Sequence, residues 1–225
     1  RNNGHTRDRD GNMISCEHGG RCVSRTYLDG RYETLVTHWN GKRLNSPNDV
    51  VVKSDGTIWF TDPPYGIISD HEGIRAESAI GNNQVYRFDP ATGQLDVVAD
   101  DFDRPNGLAF SPDESEIYIA DSGYARGDGF GFEEGRPRHV RAFKVVDGKK
   151  LTKSRVLAVI EPAVPDGLRV DTEGLLWISA GDGIHCYTSG GERLGKILVP
   201  ETVANLTFGG FGKSRMFICA TSSLY

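Results

Sequence analysis

Pro47-Asn48-Asp49-Val50-Val51-Val52-Lys53-Ser54-Asp55-Gly56-Thr57-Ile58-Trp59-Phe60-Thr61-Asp62 is a β-hairpin in sequence form: a β-branched run, an Asp-Gly turn, and a second run built on Ile, Trp and Phe. The unit returns as PNGLAFSPDESEIYIAD from Pro105 and as PDGLRVDTEGLLWISA from Pro165, with weaker copies from Asn3 and Asn205. A polar anchor opens each copy, and the offset to the large residue of the second run is nearly constant. It is 11 from Asn3 to Ile14, 11 from Asn48 to Trp59, 12 from Asn106 to Tyr118, 11 from Asp166 to Trp177 and 12 from Asn205 to Phe217. Five copies in one register make this a repeat protein, and the repeat governs the fold.

Each of the first four copies is followed by a second hairpin: 22–36 turning at Asp29-Gly30, 85–98 at Thr92-Gly93, 141–157 at Asp147-Gly148 and 185–198 at Gly190-Gly191. That makes four strands per period of about 50 residues. No long stretch carries apolar residues at helical spacing, so the fold class is all-β. Four-stranded units recurring at this period match the blades of a β-propeller, and 28 glycines in 225 residues suit its many tight turns. Trp59, Tyr118 and Trp177 recur at a near-fixed offset and are expected to be core packing residues, not a sugar platform. The chain is expected to form a single propeller domain over 1–225, with blades at 1–45, 46–104, 105–164 and 165–204 and a half blade at 205–225.

In an antiparallel pair the start of the first strand and the end of the second share one edge. Asn3, Asn48, Asn106, Asp166 and Asn205 should therefore meet at one mouth of the channel. The loops leaving the second strands, at 17–18, 62–83, 121–139 and 181–182, lie on the same side, where binding residues belong. Asn48, Asn106 and Asp166 present two amide oxygens and a carboxylate, a hard-oxygen set suited to Ca2+ or a similar divalent cation. An Asn or Asp before Gly can also merely bond its own backbone in a turn. The Pro that precedes each of these three anchors, and their convergence on one axis, favour a site. His18 and Tyr65 sit in top-edge loops, where each either touches a polyol substrate or packs locally; His5 is a similar case.

Twenty-six Lys and Arg against 31 Asp and Glu leave a net charge of −5 with no cationic block, which excludes nucleic acid and anionic membrane as partners. The longest aliphatic run, 156–160, is far too short to cross a bilayer, and 37% apolar residues suffice for a core. Cys16, Cys22, Cys186 and Cys219 are too scattered for a disulfide framework; free thiols fit better than a Cys16–Cys22 bridge. Gly209-Gly210-Phe211-Gly212-Lys213-Ser214 imitates the end of a phosphate loop, but Thr207 stands where its first Gly belongs and strands flank it. No G-x-S-x-G nucleophile elbow occurs. Asn205-Leu206-Thr207 spells a glycosylation sequon, yet Asn205 is the anchor of the last copy.

The runs SPNDVVVKSDGTIWFTDPPYGI, RPNGLAFSPDESEIYIADSG and PDGLRVDTEGLLWIS closely resemble the gluconolactonase / senescence-marker-protein (regucalcin) family, and bacterial gluconolactonases in particular. The resemblance runs through nearly the whole chain. It implies a six-bladed propeller, a divalent cation, usually calcium, at the channel mouth, and hydrolysis of a sugar lactone. It further implies that Asn48, Asn106 and Asp166 are metal ligands, that Asn48 also faces substrate, and that Asp166 helps to activate water. The family's remaining ligand is a Glu in a Glu-Gly-Pro motif, which does not occur in these 225 residues. The same fold resemblance allows a calcium-dependent phosphotriesterase, a lactonase for hydrophobic lactones, or a non-catalytic binding propeller. Six blades of this size need roughly 300 residues. About one and a half N-terminal blade equivalents are therefore expected to be missing from this chain, with an open blade edge available for self-association. Whether the compartment is cytoplasm or periplasm stays open.

Overall fold

The computed structural model describes residues 1–127 and 131–225. Among the described residues the first sheet holds β1 (Asn2–Arg7), β2 (Met13–Glu17), β3 (Cys22–Thr26) and β4 (Tyr32–Val36). A short ribbon of β5 (His38–Trp39) and β6 (Lys42–Arg43), absent from the sequence reading, leads to the second sheet: β7 (Val50–Val52), β8 (Ile58–Asp62), β9 (Asn83–Asp89) and β10 (Gln94–Phe102). The third holds β11 (Pro105–Phe110), β12 (Glu116–Asp121), β13 (His139–Val146) and β14 (Lys150–Val159). The fourth holds β15 (Leu168–Val170), β16 (Leu176–Ala180), β17 (Gly183–Tyr187) and β18 (Arg193–Leu198), after which β19 (Val203–Gly209) pairs with β20 (Arg215–Ala220). All neighbouring pairs within these sheets are antiparallel. The chain is all-β, with four blades in a propeller-like arrangement.

Among the described residues helix is confined to one turn, α1 (Tyr65–Ile68), and a three-residue 3-10 turn at Phe211–Lys213, which puts the phosphate-loop mimic between two strands. No described helix is long and apolar enough to cross a membrane. All four cysteines are free thiols. Residues 128–130, within the long loop expected over 121–139, lie outside the described residues.

The core is divided among the gaps between sheets. Ile14, Val50, Phe60 and Tyr86 pack between the first two, Trp59, Leu108 and Ile119 between the second and third, and Tyr118, Leu168 and Ile178 between the third and fourth. Trp59 meets Phe110 edge-on at 5.3 Å and Trp177 meets Phe208 edge-on at 6.5 Å, so the repeated aromatics face neighbouring blades. The opposite ends of the first hairpins are ordinary turns; Gly56, at φ 86°, takes the left-handed conformation that an Asp-Gly turn requires.

The anchor glycines have a different job. Gly107 N–H donates to the Asp166 carbonyl of the next blade at 3.1 Å, Gly167 N–H to the Ala204 carbonyl at 2.7 Å, and Gly4 N–H to the Asn48 carbonyl at 2.7 Å. A Cβ at Gly4 or Gly107 would collide with the neighbouring blade's backbone, and one at Gly167 with the Asn205 side chain. These are close-approach positions, not turn residues. In the second blade the slot holds Asp49, and the Thr61 hydroxyl bridges to the Asn106 carbonyl at 2.8 Å instead.

A second device fixes the anchors from behind. Asp62, at the end of β8, accepts the N–H groups of Asn45 and Ser46, each at 2.8 Å. Asp121, at the end of β12, accepts those of Asp103 at 3.0 Å and Arg104 at 2.9 Å. Each carboxylate thus clamps the segment that delivers the following Pro-Asn. In the fourth blade Ala180 replaces the Asp, and Gly181 N–H donates to the Pro162 carbonyl at 3.0 Å.

Gly107→Ala is expected to destabilise the protein by about 2 kcal/mol, since a methyl must be forced against backbone that cannot rotate away. Urea unfolding measures it, and an unchanged midpoint would refute the close-approach role. Asp121→Ala leaves three N–H groups, those of Asp103, Arg104 and Gly123, without their acceptor and is expected to cost about 3 kcal/mol in the same experiment.

Candidate active site at the channel mouth

The anchors line a cavity of about 950 Å³ at the mouth. Asn48, Asn106 and Asp166 are all in its wall, as are Asn3, His5 and Asn205. Two loops rise around it, 63–82 after β8 and, among the described residues, 122–127 and 131–138 after β12. They touch where Gly127 faces Tyr65 and Ile68, so closely that a Cβ at Gly127 would fall 2.5 Å from Ile68 and 3.1 Å from Tyr65.

Asn48 and Asn106 are buried and bonded to each other across the gap between blades: Asn48 Nδ2 donates to Asn106 Oδ1 at 2.6 Å. Asn106 Nδ2 donates to Ser122 Oγ at 3.2 Å, and Ser122 Oγ donates to the Pro165 carbonyl at 2.5 Å. Two of the expected ligands are therefore not local turn residues. Asn205 is closer to that description, because its Oδ1 accepts the neighbouring Leu206 N–H at 2.8 Å. Asp166 reaches the same cavity from the start of the fourth blade, its own N–H held by Ser179 Oγ at 3.0 Å.

His18 is only 2% exposed and stands behind Asn48, with Nε2 3.1 Å from Asn48 Oδ1. Its Nδ1 lies 3.3 Å from Glu72 Oε2, a carboxylate from the 63–82 loop that also lines the cavity. Tyr65, from α1, lines the cavity with its hydroxyl buried and without a hydrogen-bond partner among the described residues. Burial, reinforced by the Asp166 charge, pushes the Tyr65 phenol well above its ordinary value, so it remains a donor at neutral pH.

Three carboxyl groups crowd the mouth. Burial, then the charges of Asp49 and Glu72, push the Asp166 carboxyl up to about 7, against the pull of the Asn106 amide. Asp49 is itself raised by burial and drawn back by Arg169, whose Nη1 is 3.8 Å away; its Oδ2 has no hydrogen bond among the described residues. Hydrogen bonding from His18 holds the Glu72 carboxyl below the usual range. No group of three or more His, Cys, Asp or Glu side chains among the described residues is placed to hold a metal. The donors that fit a cation are instead the two amide oxygens of Asn48 and Asn106 and the carboxylate of Asp166, all in the cavity wall. That chemistry suits a hard divalent cation.

Four members of the site were not visible in the sequence reading: Glu72, Asp49, Ser122 and Arg169. Asp49 carried a signal, because it occupies the slot where four of the other copies place Gly or Leu. Glu72 carried none, since its position depends on how a twenty-residue loop folds back.

The chain matches the model of the SMP-30/Gluconolactonase/LRE-like region over residues 2–222. It is 32% identical over 221 residues to a gluconolactonase of Zymomonas mobilis, covering 96% of this chain and 59% of that protein. It is 30% identical over 202 residues to a lactonohydrolase of Aspergillus oryzae, covering 84% of this chain and 45% of that protein. The structure superposes on that of a Xanthomonas campestris gluconolactonase with a TM-score of 0.89 at 38% identity, over 99% of this chain and 70% of the other. The chain thus spans about half to three fifths of the length of these two relatives. The repeated anchors, their convergence on one cavity and these likenesses together assign the chain to the SMP-30/gluconolactonase/LRE-like family.

Proposed function

We propose that this chain carries the active site of a sugar-lactone hydrolase dependent on a divalent cation, Ca2+ foremost. The observation that supports this best is the meeting of Asn48, Asn106 and Asp166, from three successive blades, in one cavity large enough for a monosaccharide. Relatives named gluconolactonase and lactonohydrolase point to the same reaction class. The full ring we propose has six blades, with the four sheets and the β19–β20 pair as part of it.

In this reading Asn48, Asn106 and Asp166 would hold the cation through their side-chain oxygens. Bound there, it would supply Lewis-acid chemistry, polarising the lactone carbonyl and stabilising the negative charge that develops on it. The Asp166 carboxylate takes the proton of the attacking water as the water oxygen bonds to the lactone carbonyl carbon. The ring C–O bond then breaks, and Asp166 returns that proton to the departing ring oxygen, which becomes a hydroxyl of the open aldonic acid. Tyr65, held protonated and unpartnered, donates to a substrate hydroxyl. Asn48, already tied to Asn106 and His18, keeps the carboxamide from turning. The two loops screen the site from bulk water where Gly127 meets Tyr65 and Ile68.

Gluconolactone opening, followed by acid release above the spontaneous rate, is expected to vanish in EDTA and return with added Ca2+. No cation-dependent acceleration would overturn the proposal. Asp166→Asn is expected to lower turnover by 100-fold or more, roughly the share of a general base. The same substitution has a signature in stability. The folded-state value of about 7 lies above the ordinary 3.8, so the group's contribution is present at low pH and lost as pH rises through 7. The cation-free protein should accordingly lose thermal stability between pH 5 and pH 8, and Asp166→Asn should flatten that fall. A slope that steepens in the variant would contradict the assigned burial of charge.

A further inference from the structure

The hydrogen bonds that run through the anchors have a single direction. The Pro165 carbonyl can only accept, so Ser122 spends its one hydroxyl proton there at 2.5 Å. Ser122 Oγ must then receive Asn106 Nδ2–H, at 3.2 Å, and this turns Asn106 Oδ1 toward Asn48 Nδ2–H at 2.6 Å. The oxygen of Asn48 is consequently the atom that meets His18 Nε2, at 3.1 Å. The outer end of the chain is Glu72 Oε2, 3.3 Å from His18 Nδ1. His18 therefore stands between two oxygen acceptors, one in the anchor ring and one in a loop.

A carboxamide turns readily about its last torsion, which is broad and nearly two-fold. His18 is the described side chain that donates to Asn48 Oδ1, and it comes from the first blade, just after β2. The ring is packed in from the other side as well: a Cβ at Gly66 would come within 2.6 Å of His18 Cβ, so the backbone of α1 lies directly against it. Glu72 shares that loop with Gly66 and Tyr65. Its side chain is 47% exposed, in contrast to the buried histidine it meets.

We propose that Glu72 is a positioning residue that acts through His18, holding the imidazole in the plane that fixes the Asn48 carboxamide oxygen and thereby tying the 63–82 loop to the mouth of the channel. The effect on catalysis rests on the lactonase reading above; the effect on His18 does not. The rival role is a direct bond from Glu72 to a substrate hydroxyl, which its place in the cavity wall would also allow.

A double-mutant cycle on the purified protein separates them. Outer partners of metal ligands are typically worth 10- to 100-fold in affinity or activity. Glu72→Ala is expected to weaken Ca2+ binding, measured by calorimetry, by about 10-fold, and to lower kcat for gluconolactone with little change in KM. In a His18→Ala background, or in His18→Asn if the alanine variant folds poorly, the same substitution should have no further effect. Effects that add in the double mutant, or a rise in KM with unchanged Ca2+ affinity, would overturn the proposal and make Glu72 a substrate contact. Imidazole nitrogen NMR gives a readout that needs neither cation nor activity. The His18 Nε2–H proton should exchange slowly in the wild type and quickly in Glu72→Ala, while Glu72→Gln, which keeps an oxygen acceptor, restores most of the protection. If exchange at His18 is the same in wild type and Glu72→Ala, the positioning role is wrong, whatever the protein hydrolyses. If the exchange responds but no lactone opens with Ca2+, the lactonase reading fails and the positioning role stands.

Discussion

The backbone contact between successive anchors sets the geometry of everything else in this chain. A glycine N–H in one blade reaches a carbonyl of the next at 2.7 to 3.1 Å, that of the anchor itself or of the residue before it, and no side chain fits between them. Because the contact is backbone to backbone, it sets the spacing of the inner strands independently of how the outer strands pack. The polar side chain one residue earlier is then carried to the channel axis. Asn48, Asn106 and Asp166 meet because each is chemically bonded to a residue, Asp49, Gly107 or Gly167, that lies in this innermost layer.

The site is electrostatically costly without a cation. Asp166 and Glu72 line one cavity with Asp49 buried next to it, and Arg169 and His18 each engage a carboxylate other than Asp166. Burial with neighbouring charge raises Asp166, whereas the more exposed Glu72, bonded to His18, stays low. An arrangement that penalises its own central anion favours a ligand of opposite charge, and this is how binding can draw on energy stored in the fold. The clamps at Asp62 and Asp121 supply rigidity from the rear. Asp62 is fully buried and pushed up to about 7 despite two N–H donors, which shows how strongly burial dominates this interior.

Much of the fold was legible because the repeat states it several times over. One hairpin is ambiguous, but five with offsets of 11 or 12 define strands, turns and the edge on which the anchors gather. Trp59, Tyr118 and Trp177 were readable as packing residues for the same reason. The glycines after the anchors were legible as punctuation but not as function, since a close-approach glycine and a turn glycine are spelled alike. His18 could be placed on the top edge, yet whether it faces substrate or the back of Asn48 depends on a ring orientation set by α1 and Glu72.

Sequence by itself therefore determined the all-β repeat, the edge that carries the polar anchors, and an oxygen-rich donor set, because each follows from residue type and spacing along the chain. Tertiary structure alone decided that Asn48 bonds Asn106 and not its own backbone, that Glu72 returns from a distant loop to His18, and that Asp49 is buried close enough to Asp166 to raise its carboxyl. These interactions join residues up to 117 positions apart, as the charges of Asp49 and Asp166 are. Their energies depend on burial and on the direction of each hydrogen bond, quantities that exist only once the blades have closed on one another.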